Sequence, residues 1–234
     1  MGDVWAIVVA GGSGSRFGDA APKQFLDLAG LRLIDWALAA ASAACGGVVA
    51  VLPAAHLDAT LAPGVMAVAG GSTRSASVRA GLRAVPADAA VIVVHDAARP
   101  LADPALFERV IAAVRAGADG AVPGMPVADT IKRVDQSGGL VLETLDRPPL
   151  RAIQTPQAFS GGALRQAHAG GADASDDAAL VEAAGGRVVV VEGDPSNLKI
   201  TGPDDLIRAE NLLARRSTRG DGGCPPDKGG GSRL

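Results

Sequence analysis

The sequence predicts an α/β domain built on a doubly wound, mostly parallel sheet, and three observations carry that expectation. Short apolar runs rich in β-branched residues alternate with alanine-rich stretches of helical spacing along most of the chain. The first such run, Val4 to Val9, stops abruptly at the glycine-rich stretch Ala10, Gly11, Gly12, Ser13 and Gly14. A later run, Ala90 to Val94, delivers His95, Asp96 and Arg99 at its carboxyl end, where open parallel sheets place groups that meet ligands.

Taken in order, Val4 to Val9 reads as a buried strand and Leu33 to Ala44 as a helix with Leu, Ile and Trp at helical spacing. Val48 to Leu52 and Val65 to Ala69 are further strands; Gly70 and Gly71 follow, and Ser72 can cap a helix running through Ser77 to Val85. Asp103 and Pro104 supply the cap and first turn of a helix to about Ala116, before a short strand near Ala121 and Val122. The segment from Pro126 to Arg151 breaks the rhythm. Its two extended runs, Val127 to Val134 and Leu140 to Leu145, flank Ser137, Gly138 and Gly139, so it reads as an inserted β-hairpin arm rather than a crossover helix.

The sheet pattern resumes at Ile153, and a short helix follows Gly161. Ser175, Asp176 and Asp177 open a helix to about Ala184, Val188 to Val191 is a strand, and Asn197 to Thr201 a short extended piece. Pro203, Asp204 and Asp205 open the last helix. One domain over residues 1–216 is expected, with 217–234, nearly devoid of apolar residues, as a disordered tail.

The 234 residues suffice for one core, and a net charge of −3 with dispersed Arg and Lys argues against a nucleic-acid surface. Cys45 and Cys224 form neither a C-x-x-C pair nor a zinc spacing, which fits a reducing compartment. Asp3 stands where a signal peptide carries positive charge, and the first apolar run is too short to span a bilayer, so a cytoplasmic protein without a membrane segment is expected.

The glycine loop removes Cβ atoms, so backbone N–H groups can converge on an anion, and Arg16 and Lys23 add positive charge beside it. Two familiar glycine loops do not match. Counting from Gly12 and Gly14, the dinucleotide fingerprint requires a glycine where Phe17 stands, and the Walker pattern requires Lys where Asp19 follows Gly18. The cations suggest a triphosphate cradle; a plain strand-to-helix turn explains the glycines but not the charges.

Further motifs follow in order: GGSTRSASV (70–78), HDAARP (95–100), PVADTIKR (126–133), TPQAF (155–159), SDDA (175–178) and NLKIT (197–201). Together with AGGSGSRFG (10–18) and PKQF (22–25), the series resembles the 2-C-methyl-D-erythritol 4-phosphate cytidylyltransferases of non-mevalonate isoprenoid synthesis, from Val4 to about Leu213. The resemblance implies a Rossmann-like domain that transfers CMP from CTP to methylerythritol phosphate and releases pyrophosphate, with Mg²⁺ as cofactor and a homodimer whose arms interlock.

Residue by residue, the resemblance gives Arg16, Lys23 and Lys199 catalytic roles on the phosphates, with Lys199 at the α-phosphate. It puts Ala10, Gly11, Gly12, Gly14, Gly70, Gly71, Ser77 and Asp96 around the nucleotide, with Asp96 also holding magnesium. Arg99, Thr130, Arg147, Thr155 and Ser175 fall to the acceptor. Two positions depart from the family: Gly11 stands for its usual Ala and Ser175 for its usual Thr. An attacking phosphate is already an anion, so cations matter more than a general base, and His95 is expected to be a packed, hydrogen-bonded side chain. Another nucleotidyltransferase of this fold, acting for example on ribitol phosphate, and a nucleotide-binding subunit without turnover remain the alternatives.

Overall fold

The computed structural model describes residues 2–11 and 22–219. The first strand, β1 (Val4–Val9), shows why the sheet is covered on both faces. Val4, Ala6 and Val8 join one apolar cluster, and Ile7 joins another on the opposite side with Trp5 and Val9 packed against it. Both alternating sets of side chains are apolar, so neither face can be left to water.

A small β2–β3 pair (Asp27–Leu28 and Leu31–Arg32) precedes α1 (Leu33–Ala44), which leads into β4 (Gly47–Leu52) and then β5 (Val65–Ala69). From β5 the chain crosses back through α2 (Arg74–Ala84) to β6 (Val91–Asp96), and α3 (Pro104–Arg115) leads to β7 (Gly120–Pro126). Strands β6, β1, β4 and β5 are parallel neighbours in that order. The chain therefore winds outward from β1 and returns on its other side, which makes the carboxyl ends of β1 and β6 the switch point of the sheet. Ile34, Leu38, Phe107 and Val110 of α1 and α3 cover one face; Val78 and Leu82 of α2 cover the other.

Three helix starts follow local rules. Asp103 accepts from Ala105 N at 2.9 Å with Pro104 in the first turn of α3. Asp176 accepts from Ala179 N at 3.0 Å. For α2 the cap is Thr73, not the expected Ser72: the Thr73 hydroxyl accepts from Ala76 N at 3.0 Å, one residue nearer the helix.

The arm forms its own two-stranded sheet from β8 (Lys132–Val134) and β9 (Val141–Thr144), shorter than the runs read from sequence. Its tip is closed by Asp135, which accepts from Gly139 N and Leu140 N, each at 3.1 Å, with Gly138 at φ 75°. Beyond the arm, the resumed sheet is not one strand but two, β10 (Arg151–Ile153) and β11 (Gln157–Ser160), separated by the buried residues Gln154 to Pro156. Both run antiparallel to their neighbours, β11 between β6 and β7 and β10 at the edge beside β7, in a sheet whose other strands are parallel.

Helices α4 (Gly161–Ala169) and α5 (Asp177–Ala183) then cover the face shared with α2, and β12 (Val188–Glu192) pairs parallel with β7. Residues 197–201 are an irregular loop rather than a strand, tied to the loop after β6 by Ile200 N donating to Ala98 O at 2.7 Å and by Arg99 Nη1 donating to Asn197 O at 2.8 Å. The last helix, α6 (Pro203–Arg219), continues past the expected boundary at Ser217; residues 220–234 lie outside the described ones. Among the described residues no helix is long and apolar enough to cross a membrane.

Candidate active site

At the switch point, a cleft of about 390 Å³ is lined by the end of β1 (Val9, Ala10, Gly11), by Lys23 and Gln24, by Gly71 to Arg74 with Ser77, by Asp96 to Ala98, and by Lys199. A second cleft, about 220 Å³, is lined by Arg99, Ile153 to Thr155, Gln157, Ser175 and Asp176. The two share one wall, made of Arg74, Asp96 and Lys199.

Asp96 is the centre of that wall. Its Oδ1 accepts from Arg74 Nε at 3.2 Å and its Oδ2 from Lys199 Nζ at 2.8 Å. Burial alone would raise its pKa, but Arg74 and Lys199 outweigh burial and hold the carboxyl far below the usual range, so it is an anion at any physiological pH. Lys199 is the looser partner, with 44 % of its side chain exposed against 24 % for Arg74. Lys23 Nζ donates to Ile200 O at 3.1 Å, which ties the segment after the glycine loop to the loop that carries Lys199.

Behind Asp96 lies a directed chain of hydrogen bonds. The Asp96 N–H donates to Thr155 Oγ1 at 3.0 Å, the Thr155 hydroxyl donates to His95 Nδ1 at 3.1 Å, and His95 Nε2 donates to Arg99 O at 3.1 Å. This assignment makes His95 neutral with its proton on Nε2. Burial pushes its pKa down to about 4, and its ring packs 5.1 Å from Phe107. The expectation that His95 is a packed, bonded side chain holds. Thr155 lines the second cleft while its hydroxyl serves this chain.

Ser77 closes the other end. It accepts from Gly71 N at 3.2 Å and donates to Thr73 O at 2.9 Å. A Cβ at Gly71 would come within 2.5 Å of the Ala76 Cβ, so this tight approach needs glycine. At Gly11, where the resembled family has Ala, a Cβ would sit 3.1 Å from Ser77 Oγ, a crowded contact that the glycine relieves.

Of the residues expected at the site, Lys23, Ala10, Gly11, Gly71, Ser77, Asp96 and Lys199 line the first cleft, and Arg99, Thr155 and Ser175 the second. Gly70 stands just behind, its N–H donating to Leu52 O at 2.8 Å. Gly12, Gly14 and Arg16 lie outside the described residues. Thr130 and Arg147 line neither cleft: both are exposed in the arm, where Arg147 Nη1 donates to Ala128 O.

The reading from sequence missed Arg74, which joins both clefts, and Asp177, which binds it. Arg74 Nη1 donates to Asp177 Oδ2 at 2.7 Å. The only signal in the sequence is an arginine in the first turn of a helix, where a cation opposes the macrodipole and needs an anionic partner to justify its place. Gln154 and Asn197, also missed, bind each other at 3.3 Å, and Asn197 Nδ2 donates to Thr155 O at 2.9 Å, which fixes the floor of the second cleft.

A switch-point cleft walled by two cations and a carboxylate, joined to a second cleft through that wall, has the charge and the room to take a nucleotide's phosphates beside an acceptor, as a nucleotidyltransferase requires. A family model described as 2-C-methyl-D-erythritol 4-phosphate cytidylyltransferase matches residues 4–215. Curated relatives of that name from Nocardia farcinica and Rhodococcus opacus are 45 % and 48 % identical, covering 92 % and 91 % of this chain and 96 % of each relative. The solved structure of the Thermus thermophilus enzyme is 36 % identical with a TM-score of 0.74, over 89 % of this chain and 98 % of its own. The chain belongs to the 2-C-methyl-D-erythritol 4-phosphate cytidylyltransferase family.

Proposed function

We propose that this chain transfers CMP from CTP to 2-C-methyl-D-erythritol 4-phosphate, releasing pyrophosphate and forming 4-diphosphocytidyl-2-C-methyl-D-erythritol, and that it does so across the wall shared by its two clefts. The observation that carries the reading is that Arg74, Asp96 and Lys199 line both clefts at once. A donor nucleotide in the larger cleft and an acceptor phosphate in the smaller would then meet beside Lys199, the most exposed cation of the wall.

The acceptor phosphate is an anion and needs no base to attack the α-phosphorus. The barrier is the charge that gathers on the phosphate oxygens, and preorganised cations lower it. Lys23 and Lys199 serve that role with Arg16. Cytosine is read by backbone groups near Gly70 and Gly71 and by Ser77, with the larger purines expected to be disfavoured, and Arg99, Thr155 and Ser175 hold the acceptor.

Among the described residues no three His, Cys, Asp or Glu side chains gather into a metal cage. That donor set suits magnesium bound mostly by nucleotide phosphates, with Asp96 as its one protein ligand, since Mg²⁺ characteristically takes one or two carboxylates plus phosphate oxygens. When bound, the ion neutralises phosphate charge. Asp96 is available to it because the flexible Lys199 can leave Oδ2 for a phosphate, while Arg74 keeps the carboxylate oriented.

The arm completes the proposal. Val134, Leu140, Val141 and Leu142 are 42 to 62 % exposed on it, more apolar surface than a two-stranded ribbon can keep in water. A cytoplasmic homodimer in which arms exchange, bringing Thr130 and Arg147 to the partner's acceptor cleft, gives both the apolar face and those side chains a place. Purified protein incubated with each NTP, Mg²⁺ and a panel of polyol phosphates, with pyrophosphate measured, tests the reaction. CTP with methylerythritol phosphate should be preferred; equal kcat/KM with UTP or ATP, or with ribitol phosphate, would overturn the substrate assignment.

A further inference from the structure

Behind the shared wall lies a group of buried polar side chains that the reaction as described does not use. Asp177, the first residue of α5, is 0 % exposed. Its Oδ2 accepts from Arg74 Nη1 at 2.7 Å, and its Oδ1 accepts from His168 Nε2 at 3.0 Å. It is not the helix cap, because Asp176 already bonds Ala179 N. His168 is buried on α4, and its Nδ1 has no partner among the described residues. A polar ring held in the interior with one nitrogen unsatisfied is costly, and the one bond in return is the bond to Asp177.

Packing does not account for the pair. Helices α2, α4 and α5 already share an apolar cluster through Val78, Leu82, Leu164 and Val181. We propose that His168 and Asp177 are positioning residues for the transfer reaction, which clamp the Arg74 guanidinium so that it reaches Asp96 through Nε alone and leaves Asp96 Oδ2 to Lys199. This rests on the reaction proposed above. The physical reason lies in the guanidinium fork. An arginine facing a lone carboxylate tends to bind both of its oxygens with two parallel N–H groups. The N–H parallel to Nε is that of Nη2; Asp177 grips the opposite nitrogen, Nη1, at 2.7 Å and holds the guanidinium where Nη2 has no partner among the described residues, so Arg74 meets Asp96 through Nε and Asp96 Oδ2 stays with Lys199. His168 in turn holds the other oxygen of Asp177, which stops that carboxylate from rotating away from Arg74.

The test separates positioning from folding. His168→Leu removes the donor to Asp177 without leaving a polar group behind, and His168→Gln keeps an N–H there. The inference expects His168→Leu to lower kcat about tenfold, with each KM changed less than about threefold, because the wall touches both substrates only where the group is transferred. His168→Gln should recover most of that loss. Asp177→Asn should show the same pattern more strongly. In an Arg74→Met background Asp177→Asn should then add no further kinetic loss, since its effect passes through Arg74. If Asp177→Asn does not fold, the two His168 variants decide alone. A crystal structure of His168→Leu gives an answer that needs no turnover: Arg74 should have left its single-point contact for a two-point one on Asp96. An unmoved Arg74, unchanged kcat in His168→Leu, or additive losses in the double variant would each overturn the inference. Wild-type protein that forms no pyrophosphate from CTP would instead sink the reaction, and the crystal comparison would still judge the clamp.

Discussion

The cleft wall and the arm handle charge in opposite ways. Around Asp96 the ions are buried or half-buried, each carboxylate oxygen of Asp96 has its own cation, and the contacts join segments far apart in the chain. On the arm, the Arg133–Glu143 pair is 64 % and 48 % exposed and merely spans neighbouring strands, while apolar side chains beside it face outward. A carboxylate held out of water between two cations is a preorganised electrostatic device; an exposed pair contributes little to stability. What separates the regions is that the wall's charges meet one another inside the chain, while the arm's apolar side chains face outward.

Removing a cation from the wall should give the largest effect. Lys199→Ala and Lys23→Ala are expected to lower kcat on the order of a hundredfold or more while leaving the fold intact, as for loss of a strong electrostatic contact to the reacting group. Wild-type turnover by either variant would reduce that lysine to an ordinary surface charge. The next experiment asks whether the arm completes another chain's site. Inactive Arg147→Ala protein is mixed with inactive Lys199→Ala protein under conditions of subunit exchange; crossed sites should restore activity in the heterodimers. No activity after exchange confirmed by mass would leave the arm folded on its own subunit.

A pH series probes the buried side of the wall. His95 has a folded pKa of about 4, below its ordinary 6.5, so between these values the unfolded chain binds the extra proton. Its contribution is fully present above pH 6.5 and is lost as pH falls toward 4, about 3 kcal/mol at most. Denaturation midpoints should decline over that window and do so less steeply in His95→Gln; identical slopes would remove His95 as the cause. Packing under the cleft should be nearly as sensitive. A Cβ at Gly81 would lie 2.5 Å from Ile7 Cγ2, so Gly81→Ala is expected to cost about 1–3 kcal/mol by overpacking. A midpoint equal to wild type would show that α2 can shift outward freely. Smallest of all should be Arg133→Gln on the arm, with a melting temperature within error of wild type; a clear drop would mean that the exposed pair is covered in solution.

The sequence by itself determined the local geometry and, through its ordered motifs, the family. Val4 to Val9, Leu33 to Ala44 and Val65 to Ala69 were legible to the residue, because alternation and helical periodicity are written in consecutive side chains. The same is true of the Asp103–Pro104 start and of the hairpin tip, whose hydrogen bonds join residues at most five apart. Lys23, Ser77, Asp96 and Lys199, which line the first cleft, were singled out because they stand in the ordered motifs that carry the resemblance. Only the tertiary structure decided how those groups combine. The antiparallel insertion of β11 between β6 and β7 leaves no periodic trace in a four-residue strand. Arg74 and Asp177 are 103 residues apart, as are Asp96 and Lys199, and Thr155 reaches His95 across 60. Beside its own neighbours, none of these residues shows which distant group it meets. Coulomb attraction depends on distance in space, and the fold alone brings these charges within bonding reach.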